Sequence, residues 1–243
     1  VDSAPVDESG KTSNAAHDLQ FATTTGNVTV QVDAVVLALG GGSWARLGSD
    51  GVWVPVLEKQ GVQVKPLLPS NCGFDVGWSA YFAEKFAGQP FKTVAITVPS
   101  DDADKPRFQK QGEFVATSTG VEGSLVYAAS SWLRDDITAN GTATFHLDLL
   151  PDRTAAQVLA EVRHPRGSRS LVSHLKSRLK LDGIKVALLY EILGKDKLND
   201  AVALAAGIKA LPITLKASRP ISEAISRAGG VVFEGMNASL VLQ

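Results

Sequence analysis

Gly40, Gly41, Gly42 and Ser43 form the turn in this sequence best suited to contact a ligand. The preceding residues 33–39 are continuously apolar after an aspartate, as in a strand buried on both faces of a parallel sheet. Glycines that follow such a strand allow unusual φ values and a close backbone approach to a ligand. We therefore predict cofactor contacts along this turn, at the sheet edge where dinucleotides bind, and a positive φ at Gly41. A plain strand-ending turn is the alternative.

A second pair of glycines, Gly229 and Gly230, lies in a strand-like stretch near the end of the sequence. The spacing G-x-G-x-x-G is absent, so the usual pyrophosphate-binding loop at a helix N-terminus is missing from these 243 residues. The chain begins with Val1 and finishes in an apolar, strand-like stretch at 239–243. We expect it to be an internal fragment of a larger protein.

The stretch 163–180 is locally basic and could bind phosphate, RNA or an acidic partner. It contains no acidic residue, and its cations are Arg163, Arg166, Arg169, Lys176, Arg178 and Lys180. A solvated helix face balanced by distant acids gives the same pattern. No Phe, Tyr or Trp interrupts the stretch, which argues against stacking on single-stranded nucleic acid.

The remaining reactive side chains give no catalytic assignment. The four histidines and Cys72 have no metal-binding spacing, so no metal site is expected. Cys72 lies beside apolar residues, and we expect it to be buried and inert rather than a redox thiol. Ser43 and Ser49 have glycine neighbours but not the G-x-S-x-G pattern of a nucleophile elbow.

Composition favours a globular protein in a reducing compartment. Lys plus Arg total 24 and Asp plus Glu total 25, so a net charge of −1 gives no general attraction to nucleic acid or membrane. One cysteine excludes an internal disulfide framework. No signal peptide is visible, and the longest apolar run, 32–39, is too short to span a membrane. We expect a cytoplasmic protein.

The order of predicted elements is mixed α/β, then mainly β, then helical, then β again. A hairpin is predicted at 19–32 with its turn at Gly26-Asn27, and a short helix at 52–60 that Gly61 ends. Further strands are predicted at 94–98, 113–117, 124–128 and 142–149, with a helix at 132–138. Four helices follow, at 154–162, around 171–179, around 184–192 and at 199–210. An insertion into a parent domain and two domains in series both explain this order.

Several motifs resemble a known flavoprotein family. Residues 32–41 resemble the second cofactor-facing strand of flavoproteins with two dinucleotide-binding folds. Residues 40–51, GGGSWARLGSDG, are similar to the bacterial NAD(FAD)-utilizing dehydrogenases, some relatives of which reduce bile-acid double bonds. Residues 112–124 resemble the Gly-Glu…Thr…Gly-Ile-Ser-Gly-Pro signature of that family's inserted domain, with Glu122 and Ser124 as departures. Residues 224–231 resemble the Gly-Gly-Val segment that returns the chain to the flavin, which implies further cofactor contacts at Gly229 and Gly230.

This resemblance implies an FAD-dependent oxidoreductase that transfers hydride between a nicotinamide nucleotide, NADH or NADPH, and a small organic acceptor. It implies an FAD-binding Rossmann-like α/β domain containing 1–65 and 227–243. A β-rich, barrel-like insert would comprise 66–150 and a return strand at 211–226, with a helical subdomain at 151–210. The complete protein would then be active and this fragment alone inactive. A non-catalytic module that binds RNA or an acidic partner through 163–180 is the alternative.

Overall fold

The computed structural model describes residues 17–100, 102 and 105–237. The chain divides after Gly40 into two compact units, which are described separately below. The strand-like stretch predicted at 239–243 lies outside the described residues.

The first unit contains an antiparallel hairpin, formed by β1 (His17–Thr23) and β2 (Gly26–Val32). The hairpin was predicted, but its turn is at residues 24–25 rather than at Gly26-Asn27. Thr23 explains the shift, because its hydroxyl accepts a hydrogen bond from the Thr25 amide at 3.3 Å and donates one to the Gly26 carbonyl at 2.7 Å. Gly26, with φ +127°, becomes the first residue of β2.

The strand predicted at 33–39 does not form. These residues have no regular secondary structure, and most of their side chains are exposed, with Val36 at 89%. A continuous apolar run becomes a buried parallel strand only when it has strand neighbours and covered faces. Among the described residues of this unit, β1 and β2 pair with each other, and 33–39 has no strand partner.

The second unit begins with the glycine-rich turn and the short helix α1 (Trp53–Lys59). The helix was predicted, and Gly61 follows its end with φ +84°. Strand β3 (Val64–Ser70) comes next and pairs antiparallel with the distant β11 (Ser226–Val231). This two-stranded sheet brings the two ends of the unit together.

Seven strands form an antiparallel sheet that is almost a closed barrel. They are β4 (Phe74–Asp75), β5 (Pro90–Val98), β6 (Phe108–Ala116), β7 (Gly120–Glu122), β8 (Ala143–Asp148), β9 (Leu211–Leu215) and β10 (Ala217–Ser218), in the order β10-β4-β7-β6-β5-β8-β9. The two edge strands, β9 and β10, are separated in the chain by Lys216 alone, whose amide donates to the Asp75 carbonyl at 2.8 Å. One residue therefore carries the chain from one edge of the sheet to the other.

Alternating side chains explain which face of the barrel sheet is buried. On β8, Ala143, Phe145 and Leu147 are buried while the residues between them are partly exposed, the period of two expected for a strand with one covered face. Phe91 and Phe114 stack across β5 and β6 with ring centroids 4.7 Å apart. The predicted β-rich insert is therefore confirmed as a barrel-like sheet.

Helix α3 (Ser124–Asn140) packs across this sheet and corrects the strand predicted at 124–128. Its buried face includes Leu125, Ala129 and Leu133, four residues apart, which is helical spacing. Gly123, with φ +106°, reverses the chain before the helix. The prediction was wrong because Val126 and Tyr127 favour strands locally, whereas burial follows the helical period.

The predicted four-helix region is confirmed as α4 (Ala155–Arg163), α5 (Leu171–Leu179), α6 (Gly183–Asn199) and α7 (Ala201–Lys209). Thr154 starts α4 with a capping box to Gln157, and Asp200 caps α7 through the amides of residues 202 and 203. Gly194, with φ +72°, kinks α6. The remaining helix, α2 (Ala80–Phe86), lies against α6.

All strand pairs among the described residues are antiparallel. The described part of the chain thus contains the barrel-like and helical regions of the predicted fold but no parallel sheet. In the same part of the chain, no helix is both long enough and apolar enough to cross a bilayer.

Candidate cofactor-facing turn

Backbone hydrogen bonds close the glycine-rich segment into a compact loop. Trp44 and Ser49 exchange backbone hydrogen bonds at 3.0 and 3.1 Å, with Gly48 at φ +83° in the reversal between them. The Gly41 carbonyl accepts from the Gly51 amide at 2.9 Å and from Nε1 of the buried Trp53 at 3.3 Å. The carbonyl of Gly41 therefore joins the start of the loop to its end and to helix α1.

The other predicted glycines lie at an irregularity in the β3–β11 sheet. Ala228 pairs with Leu68 and Gly230 with Lys65, so Gly229, with φ +91°, lies opposite two residues of β3, Pro66 and Leu67. A Cβ at Gly229 would lie 2.9 Å from the Pro66 carbonyl carbon, so this position must be glycine for the two strands to pair. Gly230 has φ +116°, but apart from its chain neighbours no described residue lies within 4 Å of a Cβ added there.

The loop and the two-stranded sheet meet at Arg227 and Leu67. A Cβ at Gly41 would clash with the Arg227 guanidinium, whose Cζ would be 3.1 Å away, and with the Ser49 hydroxyl. A Cβ at Gly42 would lie 2.6 Å from Cδ1 of Leu67 and 3.6 Å from Cδ of Arg227. The structure thus brings Gly41 and Gly42 beside the strand that carries Gly229 and Gly230.

These contacts separate the predicted site residues into two groups. Gly41, Gly42 and Gly229 are glycine because protein atoms occupy their Cβ positions, and Ser43 is buried at 5% exposure. Gly40 has φ +75° and an exposed backbone, and Gly230 faces open space. Positive φ was predicted at Gly41 and occurs instead at Gly40. The backbone at Gly40 and Gly230 therefore fits close approach by a ligand better than the other four positions.

Arg227, Ser49 and Leu67 were not predicted from the sequence as parts of this region. Arg227 lies two residues before Gly229, inside the segment whose resemblance was noted, and that proximity was the available signal. Ser49 lies in the glycine-rich segment itself. Nothing in the sequence indicated that Leu67 contacts Gly42, because the partner of a leucine side chain in a strand is decided by the fold.

Cys72 is fully buried at a junction that holds several elements together. Desolvation by burial raises the pKa of its thiol to about 11, although Arg134 acts in the opposite direction. The preceding Asn71 accepts from Ser226 Oγ at 2.6 Å, and its amide donates to Ser130 Oγ at 3.0 Å. A neutral, enclosed thiol in this junction is structural, as predicted.

The glycine signature predicted in the insert lies on β6 and β7. A Cβ at Gly120 would collide with the Phe74 carbonyl oxygen, because β4 and β7 approach closely there. A polar cleft of about 180 Å³ lies nearby, lined in part by residues 117–119 and Arg219. The guanidinium of Arg219 is already paired with Asp75 at 3.1 Å and with Glu223 at 2.8 Å. The cation in this cleft is therefore largely neutralised.

Three of the six cationic side chains in the basic stretch at 163–180 bind neighbouring residues. Arg178 pairs with Glu161 at 2.6 Å, and Lys176 pairs with Asp182 at 3.2 Å. Arg169 donates to the Arg166 carbonyl and to Ser177 Oγ, both at 3.2 Å. These contacts favour the interpretation as a solvated helix face. One of the two histidines in the stretch, His174, is fully buried, and its Nε2 lies 3.1 Å from the Glu161 carbonyl oxygen.

Comparison with known proteins agrees with the architecture. Among the described residues, no group of His, Cys, Asp and Glu is arranged to hold a metal ion. No curated protein matches the chain. Residues 68–226 match the family described as the HI0933-like protein barrel and H2TH domain, which accounts for 159 of the 243 residues. The barrel-like sheet and the four helices lie within this range, and the chain belongs to the HI0933-like family, which is of the FAD-dependent oxidoreductase type.

Proposed function

We propose that this chain is part of an FAD-dependent oxidoreductase that transfers hydride between a nicotinamide nucleotide and a small organic acceptor. Residues 1–65 and 227–243 contribute to the FAD-binding Rossmann-like α/β domain, and 66–226 form the insert. The family match supports the flavin, and the resemblance of the glycine segments to cofactor-facing turns supports their position against it. When bound, FAD supplies the hydride chemistry.

The observation that carries the proposal is the backbone at Gly230. It adopts φ +116° at the irregularity in the β3–β11 pairing, and no described residue other than its two chain neighbours lies within 4 Å of a Cβ built there. Gly230 is therefore glycine for its backbone conformation and not for packing, and the open space beside it leaves room for a cofactor to approach the backbone. Gly40 also has a positive φ, +75°, and is exposed.

The other predicted residues act on the backbone rather than on the cofactor. Gly41 and Gly42 let the loop pack against Arg227 and Leu67, and Gly229 lets β3 and β11 pair. Ser43 is enclosed within the loop. In the β3–β11 pair, Gly229 thereby positions the neighbouring Gly230.

Flavin content and one matched pair of variants test this proposal. The protein expressed from its complete reading frame should purify with the visible absorption of oxidised flavin. Gly230→Ala and Gly61→Ala both place a methyl group at a positive-φ residue with open space around it, so both should lose stability through backbone strain, Gly230→Ala the more because φ +116° lies further from the left-handed helical region. Only Gly230→Ala should weaken FAD binding, by about tenfold or more.

A colourless protein that also fails to bind added FAD would reject the proposal. Equal FAD affinity of the two variants would reject Gly230 as a cofactor contact. The reductant is tested separately by anaerobic mixing with NADH or NADPH, where bleaching of the flavin band identifies the nucleotide used.

A further inference from the structure

We infer that a groove between helices α2 and α6 binds an apolar carboxylic acid, a function independent of the proposed flavin site. The groove has a volume of about 530 Å³, which is the size of a small-molecule site. Helix α2 contributes Tyr81, Lys85 and Phe86 to its walls, and helix α6 contributes Val186, Ala187 and Tyr190. Its surface is mainly apolar with few polar groups, as in small-molecule sites generally.

The groove collects apolar side chains that the fold leaves in water. Tyr81 is 63% exposed, Tyr190 45%, and Val172, which reaches the groove from α5, 43%. Single exposed apolar residues are common, but a concave group of them marks a binding surface. Ala187 contributes only a methyl group to the wall, which leaves the space open.

The charged groups at the two ends of α2 decide which ligand fits. At its beginning, both oxygens of Glu191 accept hydrogen bonds from Ser79, one from the amide at 2.6 Å and one from the hydroxyl at 2.8 Å. At its end, Lys85 forms no ion pair with any described residue. From Ser79 to Lys85 the helix axis advances by about 9 Å. The groove therefore has an acidic end, where Ser79 already binds the Glu191 carboxylate, and a basic end at Lys85.

Lys85 and Tyr81 form a ready-made pair of donors at that basic end. The Lys85 ammonium donates to the Tyr81 hydroxyl at 2.8 Å and lies 5.1 and 5.7 Å from the ring centroids of Tyr81 and Phe86. These contacts hold the ammonium at the rim, while its other N–H groups and the Tyr81 O–H can donate to a ligand. A carboxylate has two adjacent acceptor oxygens and matches two adjacent donors.

The matching ligand is therefore a monocarboxylate with an aromatic or aliphatic body of small-molecule size. The carboxylate pairs with Lys85 and Tyr81, and the body lies against Phe86, Val186 and Ala187. A neutral molecule of the same shape would keep the apolar contacts and lose the charge-assisted hydrogen bonds.

Isothermal titration with naphthalene-2-carboxylate and its neutral amide, naphthalene-2-carboxamide, tests this inference. The acid should bind the full chain about tenfold more tightly than the amide, and Lys85→Met should remove that preference. Ala187→Phe should abolish binding of both by filling the groove. Lys92→Met and Ala160→Phe, at exposed positions away from the groove, should change neither affinity.

Absence of binding at millimolar acid would overturn the inference, as would an acid preference that survives Lys85→Met. If Ala187→Phe does not fold, amide chemical shifts of the unaltered chain give the same test. Residues 81–86 and 186–190 must then shift on addition of the acid, and shifts elsewhere would overturn the site. Adding FAD should leave the affinity for the acid unchanged, which separates this result from the fate of the flavin proposal.

Discussion

The guanidinium of Arg227 lies where a Cβ at Gly41 would be placed, with Cζ 3.1 Å from that position. The two residues come from opposite ends of the second structural unit, the glycine-rich loop and strand β11. The absence of a side chain at one residue thus makes room for the longest charged side chain at the other. This contact sets how closely the loop can approach the β3–β11 sheet.

Replacement of Gly41 by alanine should therefore destabilise the protein through Arg227. We expect Gly41→Ala to lower the free energy of unfolding by about 1–3 kcal/mol, the usual range for an overpacked contact. The loss should be smaller when Arg227→Ala is also present, and urea denaturation of the four combinations measures this coupling. Gly61→Ala provides the control, because its strain should be the same with and without Arg227. Strict additivity of Gly41→Ala and Arg227→Ala would contradict the contact.

Gly120 should tolerate a side chain even less well. A Cβ there would meet the Phe74 carbonyl oxygen, and the Asp75 Cα and the Val76 amide nitrogen would both be 2.8 Å away. These are backbone atoms of the paired strand and cannot rotate aside, so Gly120→Ala should cost about 3 kcal/mol or more. Gly141→Ala is the matched control, since Gly141 has φ +79° with open space around it, and should cost about 1 kcal/mol. Equal losses in thermal denaturation would show that β4 and β7 are not in close contact.

Cys72 should be unreactive in the folded protein. Its pKa, raised by burial to about 11, keeps the thiol protonated at pH 8, and its sulfur is enclosed. A disulfide reagent that reports on free thiols should give no signal with native protein at pH 8 and one equivalent after unfolding. The unfolded thiol ionises at a lower pH than the folded one, so its contribution to stability should be lost as the pH rises from about 9 to about 11. Rapid labelling of the native protein would identify an accessible thiolate instead.

The basic stretch should behave as a solvated surface. Combined reversal of Arg166, Arg169 and Lys176 to glutamate should leave flavin reduction unchanged in the protein expressed from its complete reading frame. Any affinity of the unaltered protein for RNA should be weak, falling steeply with added salt, and independent of sequence. Fluorescence anisotropy with two unrelated RNA oligonucleotides measures both properties. A sequence-dependent affinity that the reversal abolishes would instead support the non-catalytic, RNA-binding interpretation.

The helical region shows what local sequence can predict. The sequence predicts a helix around 171–179, and Leu175 and Leu179, whose spacing of four residues places them on one face of α5, are both buried. Thr154 and Asp200 bond to amides within three residues of themselves, so their capping roles depend on neighbours in sequence. The backbone hydrogen bonds of a helix join residues about one turn apart, and its caps bond to amides two or three residues away. The position of a helix can therefore be predicted from local sequence without the rest of the fold.

The errors occurred where distant residues decide the outcome. Residues 33–39 are apolar enough for a buried strand, but they have no strand partner among the described residues and do not form one. Residues 124–128 contain strand-favouring side chains, yet they begin α3 because the barrel sheet covers one helical face. Burial against another element overrides a preference worth about 1 kcal/mol or less per residue.

The sequence by itself determined the amphipathic helices, most of the barrel strands and the family resemblance of the glycine motifs, because each depends on residues close together in the chain. Tertiary structure decided that Lys216 carries the chain between the two edges of the barrel, since strand order is set by pairing between distant segments. It also decided which glycines are needed for packing. At Gly41 the neighbour that excludes a Cβ is Arg227, and at Gly230 there is none. Glycine is therefore required for different reasons at Gly41 and at Gly230, and only the positions of atoms distant in the sequence distinguish the two reasons.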